Sequence, residues 1–170
     1  MKFLTPDECR AWCQGWIPFS DHGVPERPRT DRHHVIGDIP PGYAALTSFC
    51  QSLDVALQPR RDCLMWVTDF HIFQENRHLY YALRRFHGDN RLLEDAPGHL
   101  FLDYEAPALV SFLQVAILNG WDAHLLPSEG YARAFVSHDE FVEYSTDEDN
   151  VALVETLRAK LAKPKPAASA

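Results

Sequence analysis

The amino-acid sequence predicts one α/β domain, with an α+β arrangement as the alternative, in which a mixed sheet of about five strands is packed by about five helices. The chain of 170 residues has the length of a single domain with its own core. Segments with helical and with strand-like apolar spacing alternate along it. We therefore assign residues 1–162 to one globular domain and expect residues 163–170, rich in Lys, Pro and Ala, to form a disordered tail.

The N-terminal elements follow from local signals. Thr5-Pro6-Asp7-Glu8 combines an N-cap, a proline at the first helical position and a capping-box glutamate, so a helix is predicted to start there and to end at Gly15. Residues 16–30 contain three prolines and no periodicity, which predicts a long loop that is either functional or mobile. A short edge strand is expected at residues 33–36, before Pro40-Pro41-Gly42.

The middle of the chain alternates helices and strands. Apolar residues at 46, 49, 50, 53 and 57 have helical spacing and predict a helix from Tyr43 to Leu57. The continuous apolar run at residues 63–67 is typical of a buried strand. A helix follows at residues 76–87, with Leu79, Leu83 and Phe86 on one face, and then a short strand at residues 98–102.

The C-terminal half is predicted to contain a buried helix, a hairpin and a last helix. The helix after Asp103 is apolar around nearly its whole circumference, which predicts that it packs centrally against the sheet. The segments 121–126 and 131–136 flank Pro127-Ser-Glu-Gly130, a connection suited to a β-hairpin. Residues 147–162 are assigned to the last helix.

Composition restricts the function. The formal net charge is −8, which makes a nucleic-acid partner unlikely. Residues 137–155 hold seven acidic side chains and no Lys or Arg, a surface suited to a basic partner. The longest apolar segment, residues 106–118, is too short for a membrane span, and the N-terminus lacks an apolar signal region. The four cysteines lie at 9, 13, 50 and 63 without a Cys-x-x-Cys pair, which favours free thiols in the cytoplasm.

The predicted hairpin has two different faces. If its four-residue connection closes symmetrically, His124 lies opposite Arg133, and side chains alternate between the faces. One face is plainly core, and it consists of Trp121, Ala123, Leu125, Ala132, Ala134 and Val136. The other face mixes charged and aromatic groups, as binding surfaces often do. Our candidate binding residues come from this second face and from the acidic segment after it: Asp122, His124, Tyr131, Arg133, Phe135, Glu140, Glu143 and Asp147.

The tetrapeptide Ser137-His138-Asp139-Glu140 contains the residue types of a catalytic triad. Consecutive residues on a strand point to opposite faces, so they cannot hydrogen-bond in series as a triad does. Ser-x-x-Glu is also the capping-box pattern, and we interpret the tetrapeptide as a capping box. Phe141 and Val142 would then begin a short helical turn, or a strand after a turn.

A metal site is the alternative chemistry. Asp69-x-His71 and Asp122-x-His124 each place a carboxylate and an imidazole on one face of an extended segment. His138 and Asp139 add two further candidate ligands. Nitrogen and oxygen ligands of this kind suit zinc, manganese or iron.

These observations favour a small, acidic, cytoplasmic protein whose role is to bind another protein, in the manner of an inhibitor, an immunity protein or an adaptor. That role needs no cofactor and no catalytic residue, and the expected partner is a protein, for which the acidic segment favours a basic surface. The alternative is a hydrolase that depends on a divalent transition metal held by Asp and His ligands. A third class, a small-molecule binder, predicts a deep pocket beneath the loop of residues 16–30. Whether Asp122, His124 and His138 meet in space separates the first two hypotheses.

Overall fold

The computed structural model describes residues 1–28, 33–58, 60–70, 77–128, 132–147 and 151–161, except the side chain of Val151. Its strands are β1 (Lys2–Leu4), β2 (His33–Asp38), β3 (Asp62–Asp69), β4 (Gly98–Leu102), β5 (Asp122–Pro127), β6 (Ala132–Val136) and β7 (Phe141–Thr146). Its α-helices are α1 (Pro6–Cys13), α2 (Tyr43–Ala56), α3 (Arg77–Phe86), α4 (Ala106–Leu118) and α5 (Val151–Lys160). A 3-10 turn, Asp103–Glu105, leads into α4.

The strands form a seven-stranded sheet in the order β1-β4-β3-β5-β6-β7-β2. Every neighbouring pair is antiparallel. The predicted class of one sheet with surrounding helices is therefore correct, whereas the prediction of a mixed sheet of about five strands is wrong. The antiparallel sheet corresponds to the α+β alternative.

The sequence did not predict β1, and it indicated β7 only as the alternative of a strand after a turn. Strand β1 has only three residues, too few to show an alternating pattern, and it is defined by its pairing with β4. Strand β7 buries Val142 and Tyr144 in the main core, but it also buries the polar residues Ser145 and Thr146, which weakens its apolar alternation.

The main core lies between one face of the sheet and helices α2, α3, α4 and α5. Its largest buried side chains include Phe49, Phe101, Phe112 and Trp121. Helix α4 contacts β3, β4 and β5, so it packs centrally on the sheet as predicted. It is nevertheless not buried all round, because the side chain of Leu118 is 62% exposed.

Helix α1 and the segment after it cover the opposite face of the sheet. Cys9, Cys13 and Ile17 form a second apolar cluster with Leu64, Trp66 and Leu126. The segment is irregular but hydrogen-bonded, since the Ser20 amide donates to the Val24 carbonyl at 2.9 Å. The predicted loop is thus a packed layer over residues 16–28, while residues 29 and 30 lie outside the described part of the chain.

Helix α1 begins with the predicted capping box. The Glu8 amide donates to Thr5 Oγ1 at 3.3 Å, and the Thr5 amide donates to Glu8 Oε2 at 2.7 Å. The helix presses Cys9 against β4 at Gly98, where a Cβ atom would lie 2.2 Å from Cys9 Sγ. All four cysteines are buried and free, and burial raises the pKa of each thiol to about 12.

Helix α3 buries the polar side of its sequence pattern. Leu79 and Phe86 of the predicted apolar face point outward, and their side chains are 76% and 81% exposed. Leu83, the third residue of that face, is half-buried against the main core. Tyr80 and Arg84 lie on the inward face instead and are fully buried.

The described part of the last helix, residues 151–160, is shorter than predicted. Asp147 precedes it as an exposed residue after β7, and residues 148–150 and 162 are outside the described part of the chain. The predicted disordered tail, residues 163–170, is also outside it. No helix in the described ranges has both the length and the apolar character that a membrane crossing requires.

Candidate functional site

The β5–β6 hairpin closes two residues away from the predicted register. Phe135, not Arg133, lies opposite His124, because Ala123 pairs with Val136 and Leu125 with Ala134. Strand β5 extends through Pro127 before the connection, so the connection is not the symmetrical four-residue turn that we predicted. The predicted core face is unaffected, and all six of its side chains are buried in the main core.

The other face of the hairpin is covered by the chain itself. His124 and Phe135 are only 3% and 2% exposed. The Arg27 guanidinium lies 4.5 Å from the centre of the Phe135 ring and 3.8 Å from Glu143 Oε1. Asp122 and Arg133 are half-buried, and Tyr131 is outside the described residues.

The acidic candidates lie at separate places along β7. Glu140 precedes the strand, Asp147 follows it, and both are exposed. At roughly 3.3 Å per residue, the strand keeps them about 23 Å apart. Glu143 lies between them, half-buried beside Arg27. The predicted acidic residues therefore do not form one continuous patch.

Residues 137–140 form a tight turn between β6 and β7. The Ser137 amide donates to the Phe141 carbonyl at 2.9 Å, and the Asp139 amide donates to Ser137 Oγ at 3.2 Å. Glu140 has a φ of 63°. The capping-box interpretation is therefore wrong, because no helix starts here and a strand follows the turn. Ser137 does bond a local amide, but the amide belongs to a turn.

The turn brings His138 to Asp122. Asp122 Oδ1 lies 2.9 Å from His138 Nδ1 and accepts a hydrogen bond of 2.7 Å from the His138 amide. His138 Nε2 lies 3.6 Å from Asp139 Oδ1, although the Asp139 side chain is 69% exposed. One carboxylate oxygen of Asp122 thus holds both the main chain and the ring of His138.

A β-bulge adds Asp69 to this pair. Val67 pairs with Ala123, and the next pair along the ladder is Asp69 with Asp122, so two residues of β3 oppose one of β5. A bulge of this kind re-aims a side chain. One ligand atom each from Asp69, Asp122 and His138 then lies within 4.8 Å of the others.

Three of the six predicted metal ligands therefore come together at the ends of neighbouring strands. Asp139 lies beside His138 at the surface. His124 lies two residues from Asp122 on β5 but does not join the group. His71 is outside the described residues. The sequence left open whether Asp122, His124 and His138 meet in space. Asp122 and His138 do meet, whereas His124 does not join them.

A cavity of about 530 Å³ lies beside the group, between the segment 20–28 and the sheet. Its lining includes Asp122, His124, Phe135 and Glu143 from the sheet. Thr68 and the covering residues Ser20 and Arg27 also contribute to it. The sequence patterns did not single out any of these three residues. Thr68 belongs to β3, whereas Ser20 and Arg27 are brought to the sheet only by the packing of a loop segment.

His124 is the most buried polar group of this cavity. Burial, followed by the charges of Arg27 and Arg133, lowers its pKa to about 3, so the ring is neutral near pH 7. Within the described residues its Nδ1 atom has no hydrogen-bond partner. A second cleft, of about 290 Å³, has His138 and Glu140 in its lining.

A buried polar network on the other face of the sheet was also not predicted. Arg84 Nη1 donates to Tyr80 Oη at 3.1 Å, and Arg84 Nη2 donates to Asp89 Oδ1 at 3.0 Å. Tyr80 Oη contacts His99 Nε2, and His99 Nδ1 lies 3.3 Å from the Met65 carbonyl oxygen. Since that carbonyl can only accept, Nδ1 carries the proton and Nε2 accepts from the Tyr80 hydroxyl.

Comparisons of the chain with protein-family models, with curated proteins and with solved structures find no match. The chemistry of the site is therefore argued from its geometry.

Proposed function

We propose that this protein is a metal-dependent hydrolase that binds a divalent transition-metal ion through Asp69, Asp122 and His138. The observation that supports the proposal is the approach of three ligand atoms, from two strand ends and one turn, to within 4.8 Å of one another. Two carboxylates and an imidazole are a donor set that suits zinc, manganese or iron.

Two carboxylates lie side by side in this group, because Asp69 is paired with Asp122 across β3 and β5. Like charges directly opposite each other repel, and a divalent ion bound by both carboxylates would offset that repulsion. The contact between Asp122 and His138 also fits a ligand set, since ligand carboxylates and imidazoles are commonly oriented by hydrogen bonds.

Three protein ligands leave a coordination position for water. A bound metal ion lowers the pKa of that water and supplies a nucleophile near neutral pH. Asp122 belongs both to the ligand group and to the lining of the 530 Å³ cavity. A small molecule held in the cavity would therefore lie next to the ion.

Metal content tests the binding half of the proposal. We expect elemental analysis to find about one zinc or manganese ion per chain. The affinity for that ion should be at least about 10-fold weaker in Asp69→Asn and in His138→Gln. His78→Gln is the matched control, because His78 is exposed on α3 and lies outside the group. Wild-type protein that takes up neither ion in a saturable manner would contradict the site.

Hydrolysis is tested on the loaded protein. We expect hydrolysis of the uncharged ester p-nitrophenyl acetate that requires the metal ion and is lost in Asp69→Asn. Saturable metal binding without metal-dependent hydrolysis of this ester would mean that the protein binds a metal ion but is not a hydrolase.

The second candidate function is the protein-binding role expected from the sequence. Its supporting observation is the outward face of α3, where Leu79 and Phe86 are 76% and 81% exposed. Exposed apolar patches often mark interaction sites. Stoichiometric capture of one partner by the wild type, abolished in Leu79→Ser/Phe86→Ser, would favour this role. Equal capture by the double variant would exclude this surface.

A further inference from the structure

The cavity beside the Asp69–Asp122–His138 group contains a row of side chains on adjacent strands. His124 pairs with Phe135, and Phe135 pairs with Glu143, so the three side chains follow one another across β5, β6 and β7. All three line the cavity. The row therefore offers an imidazole, an aromatic ring and a carboxylate to one ligand.

The buried imidazole of His124 favours a ligand with a hydrogen-bonding group. Its side chain is 3% exposed, and its Nδ1 atom has no hydrogen-bond partner within the described residues. Leaving a buried polar atom without a partner costs about 1–3 kcal/mol. A neutral imidazole has one accepting and one donating nitrogen, so it can accept an N–H group from a ligand.

The charges of the lining favour a cation. Among the described lining residues, the carboxylates of Glu26, Asp122 and Glu143 accompany one guanidinium, that of Arg27. This guanidinium lies over the Phe135 ring at 4.5 Å and over the Phe141 ring at 5.5 Å. The described lining thus carries more negative than positive charge, which favours a cation over an anion.

Arg27 also illustrates how a cation sits on this surface. Its guanidinium combines a cation–π contact to Phe135 with an ion pair to Glu143 of 3.8 Å, which is too long for a direct hydrogen bond. The carboxylate of Glu143 thus retains the capacity to accept hydrogen bonds from a second cation.

We propose that this cavity binds a small organic cation with N–H donors, a guanidinium or primary ammonium compound. In this complex Glu143 balances the charge of the cation and His124 accepts an N–H group from it. Asp122 lies two residues from His124 on β5, about 7 Å along the strand. As the substrate class of the hydrolase, this inference rests on the proposed function. The binding of the cation does not require the metal ion and can be measured without it.

The experiment is a titration of full-length, EDTA-treated protein with methylguanidinium chloride, followed by two-dimensional NMR and by calorimetry. Methylurea has nearly the same shape but no charge, and acetate is the anionic probe. We expect saturable binding of methylguanidinium with shifts of the His124 ring nitrogens, and at least about 10-fold weaker binding of methylurea and acetate.

Glu143→Gln should weaken methylguanidinium binding at least about 10-fold, whereas Glu155→Gln should leave it unchanged. Glu155 is the matched control because it is exposed on α5, where it pairs with Arg158, outside the cavity. Equal binding of methylurea, unchanged binding in Glu143→Gln, or no shift of the His124 ring nitrogens in the wild type would overturn the inference. The NMR shifts of the His124 ring nitrogens are measured on the wild type, so they test the inference even if Glu143→Gln does not fold.

Elemental analysis of the same protein, made before the EDTA treatment, separates the two proposals. Binding of methylguanidinium by a protein that takes up no metal ion would support the proposed cation site and contradict the proposed hydrolase. Metal uptake by a protein that does not bind methylguanidinium would support the metal site and contradict this class of substrate.

Discussion

Arg84 is a fully buried charge whose two Nη atoms are hydrogen-bonded by the protein. It donates to Tyr80, to the Ala96 carbonyl and to Asp89, and its guanidinium lies 4.5 Å from the centre of the Phe3 ring. Although burial opposes it, hydrogen bonds from Arg91 and Arg84 lower the pKa of the Asp89 carboxyl. The Tyr80 hydroxyl connects this ion pair to the neutral ring of His99.

Tyr80→Phe tests how much the Tyr80 hydroxyl, which connects Arg84 to His99, contributes to stability. Loss of the hydroxyl removes one partner each from Arg84 and His99, both fully buried, so the free energy of unfolding should fall by about 1–3 kcal/mol. Urea denaturation monitored by circular dichroism measures the change. Tyr104→Phe, at a side chain that is 75% exposed, should change the free energy by less than about 0.5 kcal/mol. Equal effects of the two substitutions would mean that the connection contributes nothing.

Gly98→Ala tests the close approach of α1 to β4. The added Cβ atom would lie 2.2 Å from Cys9 Sγ and 3.0 Å from Leu4 Cβ, so the helix must shift, at a cost of about 1–3 kcal/mol. Adding Cys9→Ala removes the nearer atom and should restore part of the stability. A double-mutant cycle of thermal unfolding measures this coupling, and strictly additive effects would argue against the contact.

At the scale of elements, the predictions that succeeded rest on local chemistry. The capping box of α1 is written in four consecutive residues, and the structure forms it. The same spacing in Ser137-x-x-Glu140 forms a turn instead. A capping box and this turn both use a short side chain to bond a nearby amide, so the spacing alone does not distinguish them. What distinguishes them is the pairing of residues 141–146 with β2 and β6, which the local sequence does not contain.

The orientation of α3 depends on distant partners in the same way. Its apolar residues predict one buried face, but Tyr80 and Arg84 face inward because His99, Asp89 and Phe3 are there to receive them. The candidate metal group shows the same limit. The Asp-x-His pattern selected Asp122 but paired it with His124, which does not join the group, whereas His138 was named only as an additional ligand. The contribution of Asp69 depends on a bulge that no residue pattern indicated.

A comparison within α3 tests its orientation. Arg84→Met should lower the free energy of unfolding by about 3 kcal/mol, because it breaks a buried, hydrogen-bonded charge pair. Phe86→Ser should lower it by less than about 0.5 kcal/mol, since the side chain is 81% exposed. Chemical denaturation of both variants measures the two losses in free energy of unfolding. A larger loss in Phe86→Ser than in Arg84→Met would mean that the apolar face of α3 is the buried one.

For the whole molecule, two histidines link stability to pH. Burial, followed by the charge of Arg84, lowers the pKa of His99 to about 3, and burial lowers that of His124 to about 3 as well. Both rings are neutral in the folded chain, whereas in the unfolded chain they take up protons below the ordinary value of 6.5. The unfolded state therefore binds more protons between these values, and stability falls as the pH falls from 6.5 towards 3.

Each such histidine should contribute a slope of roughly 1.4 kcal/mol per pH unit within that window. Urea denaturation at pH 7, 6, 5 and 4 should show the decline. His124→Gln should lose one histidine's share of the slope, and His78→Gln, at an exposed position of α3, should keep it. A slope that His124→Gln leaves intact would mean that His124 is not buried in its neutral form.

The strand order has a consequence for the time course of folding. The first two strands of the chain form the two opposite edges of the sheet, where β1 pairs with β4 and β2 pairs with β7. Lys2 must find Leu100, and His33 must find Thr146. Contacts between residues so far apart in sequence slow folding, because the chain loses the entropy of closing a long loop before the strand pairing can stabilise the fold. During synthesis β2 leaves the ribosome early, yet its hydrogen-bonding partner is among the last strands to emerge. The nascent chain therefore carries an unpaired strand through most of its translation, at a stage when pairing with a neighbouring chain competes with folding.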